Sequence, residues 1–140
     1  MGLSEAVYAH LAGLSALTTL VSTRIYPEGE IPNVVEFPYV TFRRTGRAHE
    51  RHLTGGSGLA QATLEIDCWA LSDEDADDVH EAIRAGMDNY RGTMGSVLVV
   101  RNCVLENDDA EVEPPLDASQ VAIHRVSMTF TIWHAESVTP

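Results

Sequence analysis

The sequence contains no lysine: all nine basic residues are arginines, at positions 24, 43, 44, 47, 51, 84, 91, 101 and 125. That absence removes whole classes of chemistry, among them the P-loop lysine, the Schiff base and the lysine general base. Cysteine is also scarce. Cys68 and Cys103 each fall in an apolar strand pattern, which predicts two buried, reduced thiols; a disulfide is the lesser alternative, since nothing suggests secretion. The start MGLSEAVYAHL has neither a basic region nor a long apolar run, so it reads as neither a signal peptide nor a membrane span. It also fails the myristoylation pattern, because Ala6 stands where serine or threonine is needed. The expectation is a soluble, cytoplasmically made protein.

Acid is what the chain has in excess. Its 140 residues carry 21 aspartates and glutamates, for a formal charge of -12. Such a surface repels phosphate backbones and disfavours sequence-independent nucleic-acid binding. The arginines are nevertheless clustered, with Arg43, Arg44, Arg47 and Arg51 close together. The length suits one domain, 1–140, whose hydrophobic fraction of 44% is ordinary for a globular chain.

The clearest pattern is GGSGLAQATLEIDCWA, residues 55–70. A glycine turn leads into a strand in which Leu64, Ile66 and Cys68 alternate with Thr63, Glu65, Asp67 and Trp69. A helix follows, capped by Ser72, with acids crowding its first turns and Ala76, Val79, Ile83 and Met87 as its apolar stripe. Near the N-terminus, Leu3, Val7, Leu11 and Leu14 recur at helical spacing behind a Ser4 cap, and Ser15 opens a second short turn. A strand is expected over 39–45, and Gly46 to Gly58 then reads as a hairpin connection of functional length. Residues 96–106 predict a central strand, Asn107 to Ser119 an acidic loop, and residues 120–134 the last long strand. There Val126, Met128, Phe130 and Ile132 alternate with Arg125, Ser127, Thr129, Thr131 and Trp133. The order implies an α+β fold: a mainly antiparallel sheet, two helices packed on it, and a long extended hairpin arm at about 43–60.

Catalytic and metal motifs fail on inspection. His49 and His52 in HERH lie in a glycine-flanked hairpin, one residue short of the zincin spacing. Asp73, Asp75 and Asp77 start like an EF-hand loop, but Asp78 replaces its glycine and Arg84 its closing glutamate. In GGSG, Leu59 breaks the nucleophile elbow, and the dinucleotide pattern fails too, because a strand follows instead of a helix. Glu65 and Asp67 share a strand face. Paired carboxylates can do acid–base work, but more often they line a solvated face or meet arginines. His124 and His134 belong to the last strand's alternation. No catalytic, cofactor-binding or metal residue is assigned. Trp69 and Trp133 fall on the polar phase near strand ends, where a tryptophan needs a cover from its own chain or from a neighbour.

Taken in order, ALTTLVSTRIYP, FPYVTFRR, HLTGGSGLAQATLEIDCWALSDEDADDVHEAIRAGM and HRVSMTFTIWH resemble the tail-completion family of long-tailed bacteriophages, also called head-to-tail joining or tail-terminator proteins. The likeness spans roughly residues 3–134 and omits the hairpin tip, the acidic loop and the tail. It implies a structural virion protein and no enzyme: a homo-oligomeric ring, usually a hexamer, that ends the tail tube and joins it to the head connector or stopper. DNA would pass through the lumen without specific binding, with no membrane and no cofactor involved. The protein would reside at the tail–head junction after synthesis in the bacterial host. Arg43, Arg44, Arg47, His49, Arg51 and His52 are the candidates for subunit or neighbour contacts, with Trp69 and Trp133 as anchors. The rivals are another ring-forming neck or tail-tube protein, and a small α+β ligand-binding domain or enzyme using Glu65, Asp67 and a histidine.

Overall fold

The computed structural model describes residues 3–52, 55–95, 98–115 and 121–135, with side chains for all of these except 46–52 and 55–59. Six strands form one sheet: β1 (Ile25–Pro27), β2 (Tyr39–His52), β3 (Gly55–Ala70), β4 (Gly92–Met94), β5 (Leu98–Glu113) and β6 (Ile123–Ala135). Their spatial order is β1-β2-β3-β6-β5-β4. β1 runs parallel to β2, and the other pairings are antiparallel. The helices are α1 (Leu3–Ala12), α2 (Ser15–Val21) and α3 (Asp73–Met87).

Alternation assigns the two faces of the sheet. Leu64, Ile66 and Cys68 of β3 and Met128, Phe130 and Ile132 of β6 are fully buried. Each large apolar side chain removed from water contributes about 1.5–3 kcal/mol. The β3–β6 register runs unbroken from Leu59↔Ala135 to Ala70↔His124, so the apolar phases of both strands fall on one side. The helices cover that side: α3 packs on β3, β5 and β6, and α1 on β1 and β4. The opposite face carries the polar phase.

The start of α3 follows local chemistry. The Asp75 amide donates to Ser72 Oγ at 3.1 Å, and Asp73, Glu74 and Asp75 sit in the first turn, where the dipole favours negative charge. Ala76, Val79, Ile83 and Met87 are buried as their spacing requires, and His80 joins them. Cys68 and Cys103 are free and buried. Burial pushes both thiols up, Cys103 to about 12 with a smaller push from Asp88.

Five expectations need correction. There are three helices instead of two, because Gly13 and Leu14 separate the N-terminal segment into α1 and α2. Ser4 lies inside α1, and Leu14, not Ser15, is the N-cap of α2, with no side-chain cap bond. The expected connection over 46–58 is largely strand: β2 continues to His52 and β3 begins at Gly55, paired as far as His52↔Gly55 with register shifts between Arg44 and Gly46 and between His49 and Arg51. Partner strands supply hydrogen bonds that override the turn propensity of glycine. Residues 53–54 lie outside the described set. For the same reason the acidic stretch 107–113 continues β5, paired with β6 from Asn107↔Thr129 to Glu113↔Ile123. β5 is therefore near the margin, and β3 and β6 are the central strands. Residues 116–119 of the expected acidic loop lie outside the described set.

Candidate functional site

The polar sheet face is a connected charge network. Arg43 on β2 reaches Glu65 Oε2 on β3 and Glu28 Oε2 after β1, each at 3.2 Å. The Ser127 hydroxyl on β6 donates to Asp67 Oδ1 at 2.6 Å and approaches Glu65 Oε1 at 3.4 Å. Arg125 pairs with Glu111 across the β5–β6 ladder and lies 5.4 Å from the Trp69 ring centroid. Trp69 stacks on Tyr39 at 5.8 Å and 7°, and its indole N–H donates to Thr41 Oγ1 at 3.0 Å. Most of these groups line an open recess of about 290 Å³.

Burial raises the Asp67 carboxyl above its ordinary value; the nearby Glu65 adds to this, while the Ser127 bond and the charges of Arg125 and Arg43 oppose it. The recess thus brings Glu65 and Asp67 together, as their spacing implies. The residues lining it are Glu28, Ile31, Thr41, Arg43, Glu65, Asp67, Trp69 and Arg125. None is the histidine that an acid–base site built on this pair would use. The carboxylates are held by arginines and a serine, an arrangement suited to holding a surface.

The expected arginine cluster divides. Arg43 pairs with Glu65 on the polar face, whereas Arg44 pairs with Leu64, whose side chain lies in the core. Adjacent strand residues point to opposite faces, so Arg43 and Arg44 cannot form one patch. Arg47, His49, Arg51 and His52 occupy β2 opposite Ala62, Ala60, Gly56 and Gly55; their side chains lie outside the described set. Trp69 and Trp133 share the polar face but not a location. Trp69 is opposite Arg125 and Trp133 opposite Gln61, a separation along β6 of about 26 Å at the usual strand rise. Trp69 is half-buried beneath its own chain's Tyr39 and Arg125, and Trp133 is also half-buried.

The sheet margins complete the site. Among the described residues, β1 covers the outer margin of β2 only at Val40–Phe42, and β4 covers that of β5 only at Leu98–Val100. The turn after α3 adds to the β5 side, where the Asn89 amide donates to the Cys103 carbonyl and the Leu105 amide to Asp88 Oδ1, so the long stretches left as open margins on opposite sides of the sheet are 43–52 and 106–113. The β2 stretch carries Arg43, Arg44, Arg47, His49, Arg51 and His52. The charged residues of the β5 stretch are all acidic: Glu106, Asp108, Asp109, Glu111 and Glu113, each exposed.

His80 is the residue that sequence reasoning missed. It is 9% exposed, and its Nε2–H donates to Asp108 Oδ2 at 2.9 Å. Its spacing in the run Ala76, His80, Ile83, Met87 is the available signal.

Comparison with known proteins agrees with this architecture. No curated protein sequence matches the chain. A component of the virion of a native gene transfer agent particle shares the fold, with a TM-score of 0.74, 18% identity, and 95% of this chain and 94% of that one covered. The family described as tail completion protein gp17 matches residues 5–135. This chain belongs to the tail completion protein gp17 family and is a structural protein of a phage tail.

Proposed function

We propose that the protein forms a homo-oligomeric ring, a hexamer, that ends the tail tube and joins it to the head connector or stopper protein. The observation that carries this reading is the pair of open sheet margins, basic on β2 and acidic on β5. A long open margin is a template for another strand, and folded proteins seldom leave one without a partner. Two different, complementary margins on one chain make a head-to-tail contact, which closes into a ring when its rotation permits. In this reading 1–140 is one domain, and the arm at about 43–60 brings Arg47, His49, Arg51 and His52 against the acidic margin of the next copy. Arg43, already paired within its own chain, and Arg44, on the helix side, serve the contact less directly. Trp69 and Trp133 mark the two ends of the polar face, where neighbours above and below the ring would rest.

The likeness to a virion component of a gene transfer agent particle supports placement in the particle; in this reading the protein sits at the tail–head junction after synthesis in the host cytoplasm. The charge of -12 suits a lumen through which DNA slides without sticking. The role is assembly without turnover, cofactor or membrane: ring closure halts tube growth and presents a seat for the head. The test is the mass of the purified protein, alone and mixed with tail tubes. A ring, or a monomer that closes into a ring on tube ends, is the expected result. Unlimited polymerisation would identify a tube subunit, and a monomer indifferent to tubes would refute the reading.

A further inference from the structure

We propose a divalent-metal site, of the zinc class, formed by Asp77, His80 and Glu81 on α3 and oriented by Asp108 on β5. The three residues stand at positions i, i+3 and i+4, hence on one face of the helix. Their ligand atoms all lie within 4.8 Å of one another.

The imidazole is the observation that makes this more than a cluster of acids. Asp108 only accepts, so the 2.9 Å contact places the proton of His80 on Nε2. In the neutral ring, Nδ1 is then a bare lone pair. It is buried and makes no hydrogen bond, and it faces Glu81 Oε1, another acceptor, at 3.4 Å. Nδ1 is shielded from water although Glu81 is exposed, and two acceptors turned toward each other favour positive charge between them. A cation answers for Asp77 as well.

Arg84 occupies the other oxygen of Glu81, Oε2, at 3.5 Å, and leaves Oε1 available. Asp73, Asp77, His80, Asp108, Asp109, Ala110 and Val126 line a recess of about 200 Å³ beside the ring.

Imidazole with two carboxylates is a donor set for zinc or a neighbouring first-row ion, with one position open. Tetrahedral zinc at about 2.1 Å needs ligand atoms about 3.4 Å apart. Small rotations of Asp77 and Glu81, both exposed, complete the set. Asp108 would act as the second-shell carboxylate that fixes tautomer and ring orientation. The bound ion would brace the face of α3 that the His80–Asp108 bond already holds to β5 and neutralise part of the acidic charge beside the open margin.

The site stands independently of the ring. Its test is calorimetric titration of zinc chloride into the tag-free, chelator-stripped full chain, with cobalt absorption spectra as a second readout. The expected result is one saturable site per chain, a melting temperature that rises with zinc, and cobalt d–d bands. Asp77→Asn, at an exposed position, should keep the fold and lose the site, and His80→Gln should lose it too. Asp108→Asn should weaken it by about 10- to 100-fold. Asp109→Asn, in the same recess but outside the donor set, should bind as wild type. Absence of saturable binding, or wild-type binding and spectra in both Asp77→Asn and His80→Gln, would overturn the proposal.

Discussion

Reversing the charge of the acidic margin should dismantle the assembly without unfolding the chain. Glu106 and Asp109 are exposed on the open stretch of β5, and neither forms an ion pair among the described residues. In a cross-strand pair, opposite charges contribute about 0.2–1 kcal/mol and like charges cost a similar amount. Each reversal to arginine therefore shifts one contact by roughly 0.4–2 kcal/mol, and the double variant shifts each interface by roughly 1–4 kcal/mol. At 1.4 kcal/mol per tenfold, that is an affinity loss from about fivefold to nearly a thousandfold. Sedimentation velocity across a concentration series measures it, with thermal melting as the control for the fold. The compensating variant Arg47→Glu with Arg51→Glu, mixed with the reversed chain, should recover mixed assemblies. Raising salt should weaken the wild-type ring, because the screening length falls from about 10 Å at 0.1 M to about 3 Å at 1 M. If the double variant assembles with the wild-type midpoint, charge complementarity of the two margins is not what joins the subunits.

Three further outcomes follow from the fold. Cys68 and Cys103 are buried with raised thiol values, so maleimide labelling of native protein should be negligible and should rise in step with unfolding by denaturant. Asp67 has a raised folded value, so its contribution is fully present below its unfolded value of 3.8 and is lost as pH rises through the folded one. Asp67→Asn keeps an acceptor for Ser127 and should melt slightly higher than wild type at pH 7, by less than about 1 kcal/mol after solvent screening, with the gap closing below about pH 4. Ser72→Ala removes the cap on the Asp75 amide and should cost about 1 kcal/mol in denaturant unfolding. An unchanged midpoint would mean that packing alone holds the start of α3.

Patterns that burial enforces were readable from the sequence. The alternation in β3 and β6 and the stripe of α3 follow from which side chains must leave water, and each falls where its period places it. What escaped was structure imposed by a partner strand. Gly46, Gly55, Gly56 and Gly58 read locally as a turn, and Asn107 to Glu113 read as a solvated loop. Both stretches are strand because β3 and β6 present backbone groups to them, and no local propensity encodes that offer. The division of Arg43 from Arg44 was legible, since neighbours on a strand oppose each other; proximity in sequence obscured it. His80 was harder to find. Its meaning depends on Asp108, which arrives from β5 through a pairing that the acidic stretch concealed.

The central claim is that the β2 margin of one copy meets the β5 margin of the next, and amide hydrogen exchange tests it directly. Exchange would be followed in the monomer and in the assembled particle, over peptides covering 43–52 and 106–113. The account predicts that both segments gain protection together on assembly, while the already paired β3 and β6 change little. Protection that appears elsewhere, with both margins exchanging as fast as in the monomer, would contradict it.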